Sequence, residues 1–303
     1  MSRPVRPYLW MLSSAVCFGT MGALTKLLSV SSDWRFLAAI RAALMFVFAA
    51  ALGMAMRTPF VVRGTPLLWM RSLVGSLSMV TTYYTLTHLQ FSEATTLVKS
   101  YPLWVAILSW AVFKERPSPK VWIAVVVGIA GVVMIAQPHF EEARLAIGTG
   151  ILASICTAIV MLGLKRLANV DTQIIVTHFA LISTVVCGAV FVFAGSDRPI
   201  GAFADSKSLA MLLGMGLMGT LGQLAITRAF ALGEPSMVSV VGLSEMVFSA
   251  VYDRVLWHRT FTWTTLVGMA LVAAPTAWLL ATSHRSPAES PGSPGVGGVA
   301  TSP

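Results

Sequence analysis

Charge is scarce in this chain. Only 11% of its 303 residues are Asp, Glu, Lys or Arg, against roughly 25% in a soluble domain. So thin a charged coat cannot cover a water-facing surface, which excludes an ordinary soluble enzyme. Cysteine is scarce as well. Cys17, Cys156 and Cys187 lie in apolar stretches and form no Cys-x-x-Cys pair, so there is no disulfide framework. The phosphate-binding pattern ending in Gly-Lys-Ser/Thr is missing, which excludes nucleotide hydrolysis by the chain itself. There is no His-Glu-x-x-His, and His88, His139, His178, His258 and His284 show no metal-ligand spacing. Neither metal nor cofactor is expected. Gly214-Met215-Gly216-Leu217-Met218-Gly219 matches GxGxxG by letter, but inside an apolar run with no strand before it. With Gly222 it reads as a flat face for close helix packing.

What the chain has instead is apolar length. Hydrophobic residues make up 56% of it, and the mean hydropathy is +0.79. Ten runs are separated by polar and Pro/Gly punctuation, over 8–28, 35–56, 66–88, 94–113, 119–137, 147–167, 173–195, 207–230, 236–257 and 261–282. A spanning helix takes about 20 residues, so ten use about 200 and leave about 100 for loops and tails. The expected fold is an all-α membrane protein with ten transmembrane helices. The net charge of +9 is scattered in twos and threes without a dense basic face. It reads as topology-setting Lys and Arg rather than a nucleic-acid surface. Residues 1–7 are a basic cytoplasmic segment leading into a retained first helix rather than a cleaved signal peptide. Residues 283–303, rich in Ser, Pro and Gly, are expected to be a disordered cytoplasmic tail. With the N-terminus inside, ten basic residues fall in inside segments (Arg3, Arg6, Arg57, Arg63, Lys114, Arg116, Lys120, Lys165, Arg166, Arg285). Six fall outside (Lys26, Arg35, Arg144, Arg198, Lys207, Arg259). The bias favours both termini in the cytoplasm.

The two halves resemble each other. At an offset of 141 residues, Tyr84–Ala94 falls on Ala225–Pro235, Gly75 on Gly216 and Ser78 on Gly219. The first repeat covers 8–138 and the second 147–282. Each holds five spans, an odd number, so the second must enter the membrane upside down. Inverted repeats of this kind rock about a pseudo-two-fold axis and expose a mid-membrane site to each side in turn.

The chain resembles the ten-helix, EamA-type members of the drug/metabolite transporter superfamily. The resemblance rests on Gly19 and Lys26 in helix 1, Glu93-Ala94-Thr95 into helix 4, and Phe113-Lys114-Glu115-Arg116 before Trp122 and Gly131. In the second half it rests on Gln223–Phe230, Gly233-Glu234-Pro235 and Leu243-Ser244-Glu245. Trp257-His258-Arg259 departs from the usual Gly-Glu-Arg-like turn, and Pro275 sits near the position matching Gly131. The resemblance implies movement of small metabolites, often export, across a bacterial cytoplasmic membrane. Amino acids and opine-type metallophores are among the solutes such carriers handle.

Ionisable groups inside spans cost about 2.5–3.5 kcal/mol each at a helix centre, so each needs a reason. Arg71 and Arg228 lie near a cytoplasmic end and are expected to snorkel. Asp253 and Arg254 fall near the outer end of helix 9, as a rim ion pair or a functional group. Arg41 and Lys99 sit about two turns in, facing either a cavity or a neighbour. Glu245 is deeper, and Ser249 and Asp253 share its helical face. It is read either as a proton-coupling or substrate-binding carboxylate, with Asp253 a second proton-coupling candidate, or as a partner for Arg41, Lys99 or a helix end. Polar stripes mark helix 3 (Ser72, Ser76, Tyr83, Thr87) and helix 8 (Thr220, Gln223, Thr227), and these bind solute or neighbouring helices. Tyr83 and Gln223 are the substrate-binding candidates among them. Trp104 is a further lining candidate, and Pro102 is expected to kink helix 4. If the cations of the first half and the acids of the second face one cavity, its field is bipolar and suits a zwitterion or an amine-bearing carboxylate.

The leading expectation is therefore a secondary transporter, not an enzyme, that exports an amino-acid-like or carboxylate-bearing small molecule. Its other partner is membrane lipid, it binds no nucleic acid, and its oligomeric state is unspecified. Uptake or exchange of another metabolite is the alternative direction. An intramembrane enzyme using Glu245, Asp253 and His178 is the alternative class.

Overall fold

The computed structural model describes residues 5–88, 94, 97–113, 119–136, 144–195, 205–258 and 262–283. The tail expected beyond 283 and the segment 1–4 lie outside these residues, as do Lys114, Glu115, Arg116 and the side chain of Asp253. Eleven helices are described: α1 (Arg6–Leu28), α2 (Trp34–Ala55), α3 (Pro66–His88), α4 (Tyr101–Phe113), α5 (Pro119–Ala136), α6 (Arg144–Arg166), α7 (Thr172–Ala194), α8 (Ser206–Leu232), α9 (Pro235–Gly242), α10 (Ser244–Trp257) and α11 (Trp263–Ser283). Helices α9 and α10 share one span, so ten spans result.

Six stretches are long and apolar enough to cross a membrane, namely α1, α2, α6, α7, α8 and the α9–α10 pair. Helices α4, α5 and α11 carry shorter apolar stretches. Helix α3 is as long as α1 but loaded with Ser and Thr, and the hydroxyls of Ser72, Ser76 and Ser78 reach its neighbours. Equivalent helices start alike. Asp33 caps α2 by accepting from the Arg35 N–H at 2.8 Å, and Asp171 caps α7 by accepting from the Gln173 N–H at 2.7 Å. Each side chain satisfies one of the orphan donors at a helix start.

Packing follows the repeat. The four largest interfaces join α1 with α8, α3 with α6, α2 with α7, and α5 with α11, and α4 also meets α9. Exchanging each span for the one five places on turns α1·α8 into α6·α3, and returns the last three pairs to themselves. Direction is readable from side chains. Gln173 donates to the Ala49 carbonyl near one end of α2 and α7. At the other end Phe36 meets Phe191 with ring centroids 5.9 Å apart. The two equivalent spans therefore run antiparallel, and the repeats are inverted. By contrast, Ser72 bonds His178 and Ser76 bonds Ser183, so α3 and α7 run parallel.

The glycines of α8 serve packing, as their spacing predicts. A Cβ on Gly216 would lie 2.6 Å from the Leu44 Cβ, and one on Gly222 3.1 Å from the Phe18 ring. Only a bare backbone lets α1 and α2 approach this closely. The outside of the bundle carries exposed Val47, Leu73, Ile123, Val126 and Val185, an apolar exterior of the kind a multi-pass membrane protein presents.

Two spans are interrupted. Leu97 and Val98 are helical, Lys99 and Ser100 form a turn, and α4 starts at Tyr101. Pro102 thus sits in the first turn of a helix, where its missing N–H costs nothing, rather than kinking a continuous one. The second interruption, at Leu243, replaces the unbroken helix expected over 236–257. Both are closed in the same way. The Ser100 hydroxyl donates to the Leu97 carbonyl at 2.6 Å, and the Ser244 hydroxyl to the Val241 carbonyl at 2.7 Å.

Candidate functional site

A cavity of about 160 Å³ opens between the repeats. From the first repeat, α2 contributes Arg41, and α3 contributes Arg71, Gly75, Ser78, Met79, Thr82 and Tyr83. From the second, α6 contributes Thr157, Val160 and Met161, α7 contributes Phe179 and α8 contributes Gln223. Arg41, Tyr83 and Gln223, singled out from separate parts of the sequence, thus share one wall system. Lys99, Trp104 and Glu245 do not line it. Trp104 packs against a core drawn mainly from α1, α4, α5, α6, α8 and α9.

Arg71 departs from expectation. It does not snorkel: its side chain is fully buried and it lines the cavity. The guanidinium lies over the Phe179 ring, 3.9 Å from its centroid. Gly75 makes this seat possible, because a Cβ there would fall 2.8 Å from Phe179 and 2.9 Å from the Arg71 Nη1. Proximity to a helix end in sequence says nothing of which face the neighbours cover, and here α7 closes the route outward. Arg228 keeps an exposed position beside Trp10, 5.2 Å from its ring. Arg254 is exposed and reaches the His258 carbonyl at 3.4 Å.

The hydrogen-bond ledger of the cavity is unbalanced. Nε, Nη1 and Nη2 of Arg71 and Nε of Arg41 are buried with no hydrogen-bond partner. No carboxylate lines the cavity among the described residues. The expected bipolar field is therefore absent at this cavity, whose charged lining is cationic. Of the two acids that were to supply the other pole, Glu245 is engaged elsewhere and the side chain of Asp253 lies outside the described residues. Glu245 pairs with Lys99 at 2.6 Å, each side chain 16% exposed. Lys99 belongs to the turn before α4 and Glu245 to the first turn of α10, where a helix N-terminus favours a carboxylate. The pair thus joins the interruptions of the two repeats. A sequence signal for these matched breaks existed in Ser100 and Ser244, but it had no meaning before the turns were seen.

The two described members of the enzyme alternative's acid–base set, His178 and Glu245, each have other neighbours. The Ser72 hydroxyl lies 2.8 Å from the His178 Nδ1, while His178 Nε2 has no partner and the ring meets Trp69 edge-on. Glu245 is held by Lys99 instead. Of the polar stripes, Ser72 and Ser76 tie α3 to α7, while Thr220 and Thr227 donate back to their own helix at the Gly216 and Gln223 carbonyls.

Comparison with known proteins decides the family. The EamA-like transporter family pattern matches residues 5–137 and again 144–281. The chain belongs to the EamA-like transporter family. Among its relatives, the pseudopaline exporter CntI of Pseudomonas aeruginosa is 27% identical over 213 residues, 69% of this chain and 73% of that one. Human solute carrier family 35 member G1 is 25% identical over 68% of this chain and 59% of its own length. The S-adenosylmethionine uptake transporter of Rickettsia felis is 24% identical over 72% of each chain. A crystal structure 17% identical in sequence superposes with a TM-score of 0.76, covering 92% of this chain and 99% of that one. At that identity the likeness speaks for the fold alone. As an EamA-like transporter the chain is a multi-pass membrane protein that moves a small molecule.

Proposed function

We propose that this transporter exports a small carboxylate-bearing metabolite across a bacterial cytoplasmic membrane, by alternating access to the cavity between its inverted repeats. The observation that carries this reading is the unpartnered guanidinium of Arg71, buried at the cavity wall. A charge held out of water without a partner is costly. In a binding site that cost is recovered when an anion arrives, since a carboxylate takes the planar fork through two parallel hydrogen bonds. Tyr83, Thr82 and Gln223 supply neutral polar groups around it.

Export is favoured by the similarity to a pseudopaline exporter, and both termini are assigned to the cytoplasm on the basic-residue count. The same architecture serves a relative named for uptake, so direction rests on this analogy. Proton coupling is assigned to Glu245, whose protonation would release Lys99 and loosen the contact between the two interruptions. Accumulation of labelled carboxylates in sealed everted vesicles, with and without a pH gradient, tests both parts. Gradient-driven accumulation in the wild type that is lost in Glu245→Gln is the expected result. Equilibration blind to the gradient would discard the coupling, and no movement of any carboxylate would discard the substrate class.

A further inference from the structure

The cavity holds two guanidinium groups, not one, and that number carries information. Arg71 comes from α3 and Arg41 from α2; all three Arg71 nitrogens and the Arg41 Nε are buried without a hydrogen-bond partner. Stacking on Phe179 occupies the face of the Arg71 guanidinium. Its N–H donors lie in the plane of the group, so the stacking leaves them without a hydrogen-bond partner at its edge. Arg41 is seated beside Gly219, where a Cβ would come within 3.4 Å of its Nε. Neither cation has a carboxylate to answer it among the lining residues. An ammonium group entering this space would meet two like charges and no acid.

Size limits the ligand further. An apolar cavity of about 150 Å³ accommodates a benzene molecule, so about 160 Å³ suits a solute of similar bulk in the state described. A monocarboxylate would leave one guanidinium unanswered. A compact molecule with an acidic group at each end would answer both.

We propose that the cavity is a two-point site for a small dicarboxylate, with one carboxylate held by Arg71 and the other by Arg41. The proposal rests on the carrier reading above and narrows its substrate class from carboxylate-bearing metabolites to dianions without an amine. An inorganic phosphate shares the dianionic chemistry but offers a single centre.

The test is ligand-induced thermal stabilisation of the purified full chain in detergent, titrated with succinate, propionate, 4-aminobutyrate and inorganic phosphate. Succinate is expected to bind on the order of 10- to 100-fold more tightly than propionate, the range for a charge-assisted contact, and to exceed 4-aminobutyrate and phosphate. Arg41→Gln should collapse the succinate-to-propionate ratio towards one, mainly by weakening succinate. Arg71→Gln should weaken both acids, and Arg71→Lys should restore part of the binding by returning charge without the fork. The unliganded Arg71→Gln protein should melt no lower than wild type, because an unpaired buried charge has been removed.

A ratio near one in the wild type overturns the proposal. So does 4-aminobutyrate or phosphate binding as tightly as succinate, or equal losses for both acids in Arg41→Gln. If both Arg71 variants unfold before ligand is added, Arg71 holds the fold rather than the ligand. Labelled succinate in sealed vesicles separates this proposal from the carrier reading. Selective binding without movement would keep the site and remove the carrier. Movement that survives Arg41→Gln and Arg71→Gln would keep the carrier and remove the site.

Discussion

The Lys99 Nζ lies 2.6 Å from a Glu245 carboxylate oxygen, and the two residues flank equivalent interruptions in inverted halves of the molecule. They are 146 positions apart in the chain, yet the fold brings the turn before α4 against the first turn of α10. Removing one partner of a pair largely withdrawn from water leaves the other uncompensated, which can cost more than the pair ever contributed.

Glu245→Gln is accordingly expected to destabilise the protein by about 1–3 kcal/mol. Lys99→Met combined with Glu245→Gln should recover most of that loss, since no charge then remains. A double-mutant cycle by thermal unfolding in detergent measures the coupling. Additive single losses would show that the contact carries no interaction energy.

Ser244→Ala removes the hydroxyl that takes the Val241 carbonyl at the second interruption. The expected loss is about 0.5–1.5 kcal/mol. Amide exchange across residues 243–248 should quicken while α1 and α8 stay protected. Ser100→Ala should do the same around residue 100, because its bond to Leu97 is the counterpart. Unchanged exchange at either turn would remove the hydroxyls from its support.

Gly131 sits where α5 meets α11. A Cβ there would lie 2.7 Å from the Gly268 carbonyl oxygen and 2.9 Å from a Val272 methyl. Since backbone cannot yield as a side chain does, Gly131→Ala should cost about 1–3 kcal/mol. Gly22→Ala is the control, as nothing lies within 4 Å of its added methyl. It should be neutral or stabilise by about 0.5–1 kcal/mol, through helix propensity. Melting temperatures of the two variants in one detergent decide between packing and propensity.

Asp205 caps α8 outside the span and accepts from the Ser208 N–H at 2.6 Å. That bond foremost, with the Ser208 hydroxyl and Lys207 adding to it, holds its carboxyl below the ordinary aspartate range. A lowered folded-state pKa means stability that is present above the unfolded value, about 3.9, and lost as pH falls through the folded one. Asp205→Ala should therefore melt below wild type at pH 7, with the gap closing once the pH falls below about 4. A gap independent of pH would show that the ionised carboxylate is not what caps the helix.

Much of the architecture was legible before any coordinates. Long apolar runs located ten spans to within a few residues, because a bilayer demands continuous apolar length. The glycines of α8 declared a packing face, and Gly216 and Gly222 meet Leu44 and Phe18 as such a face requires. Arg41, Tyr83 and Gln223 could be named but not brought together, since spacing along one helix says nothing about rotation against another. That same blindness hid the burial of Arg71, whose place near a helix end suggested an escape route that α7 closes. The Lys99–Glu245 contact was one of several open pairings for Glu245, and only the meeting of two interrupted spans selects it. The break at Leu243 was invisible because no proline marks it, whereas Pro102 drew attention to its counterpart, though as a kink rather than as a helix start.

The guanidinium groups of Arg41 and Arg71 both belong to the first repeat, and the described lining of the cavity does not cancel them. An empty cavity is thus positively charged, and with the proposed dianion bound it is close to neutral. Each uncompensated charge moved through the full membrane field is worth about 2.3 kcal/mol per 100 mV. Voltage would then act on the return of the empty carrier and scarcely on the loaded crossing. Flux measured at clamped potentials in proteoliposomes would expose this, as a voltage dependence that disappears when exchange keeps the cavity filled in both directions.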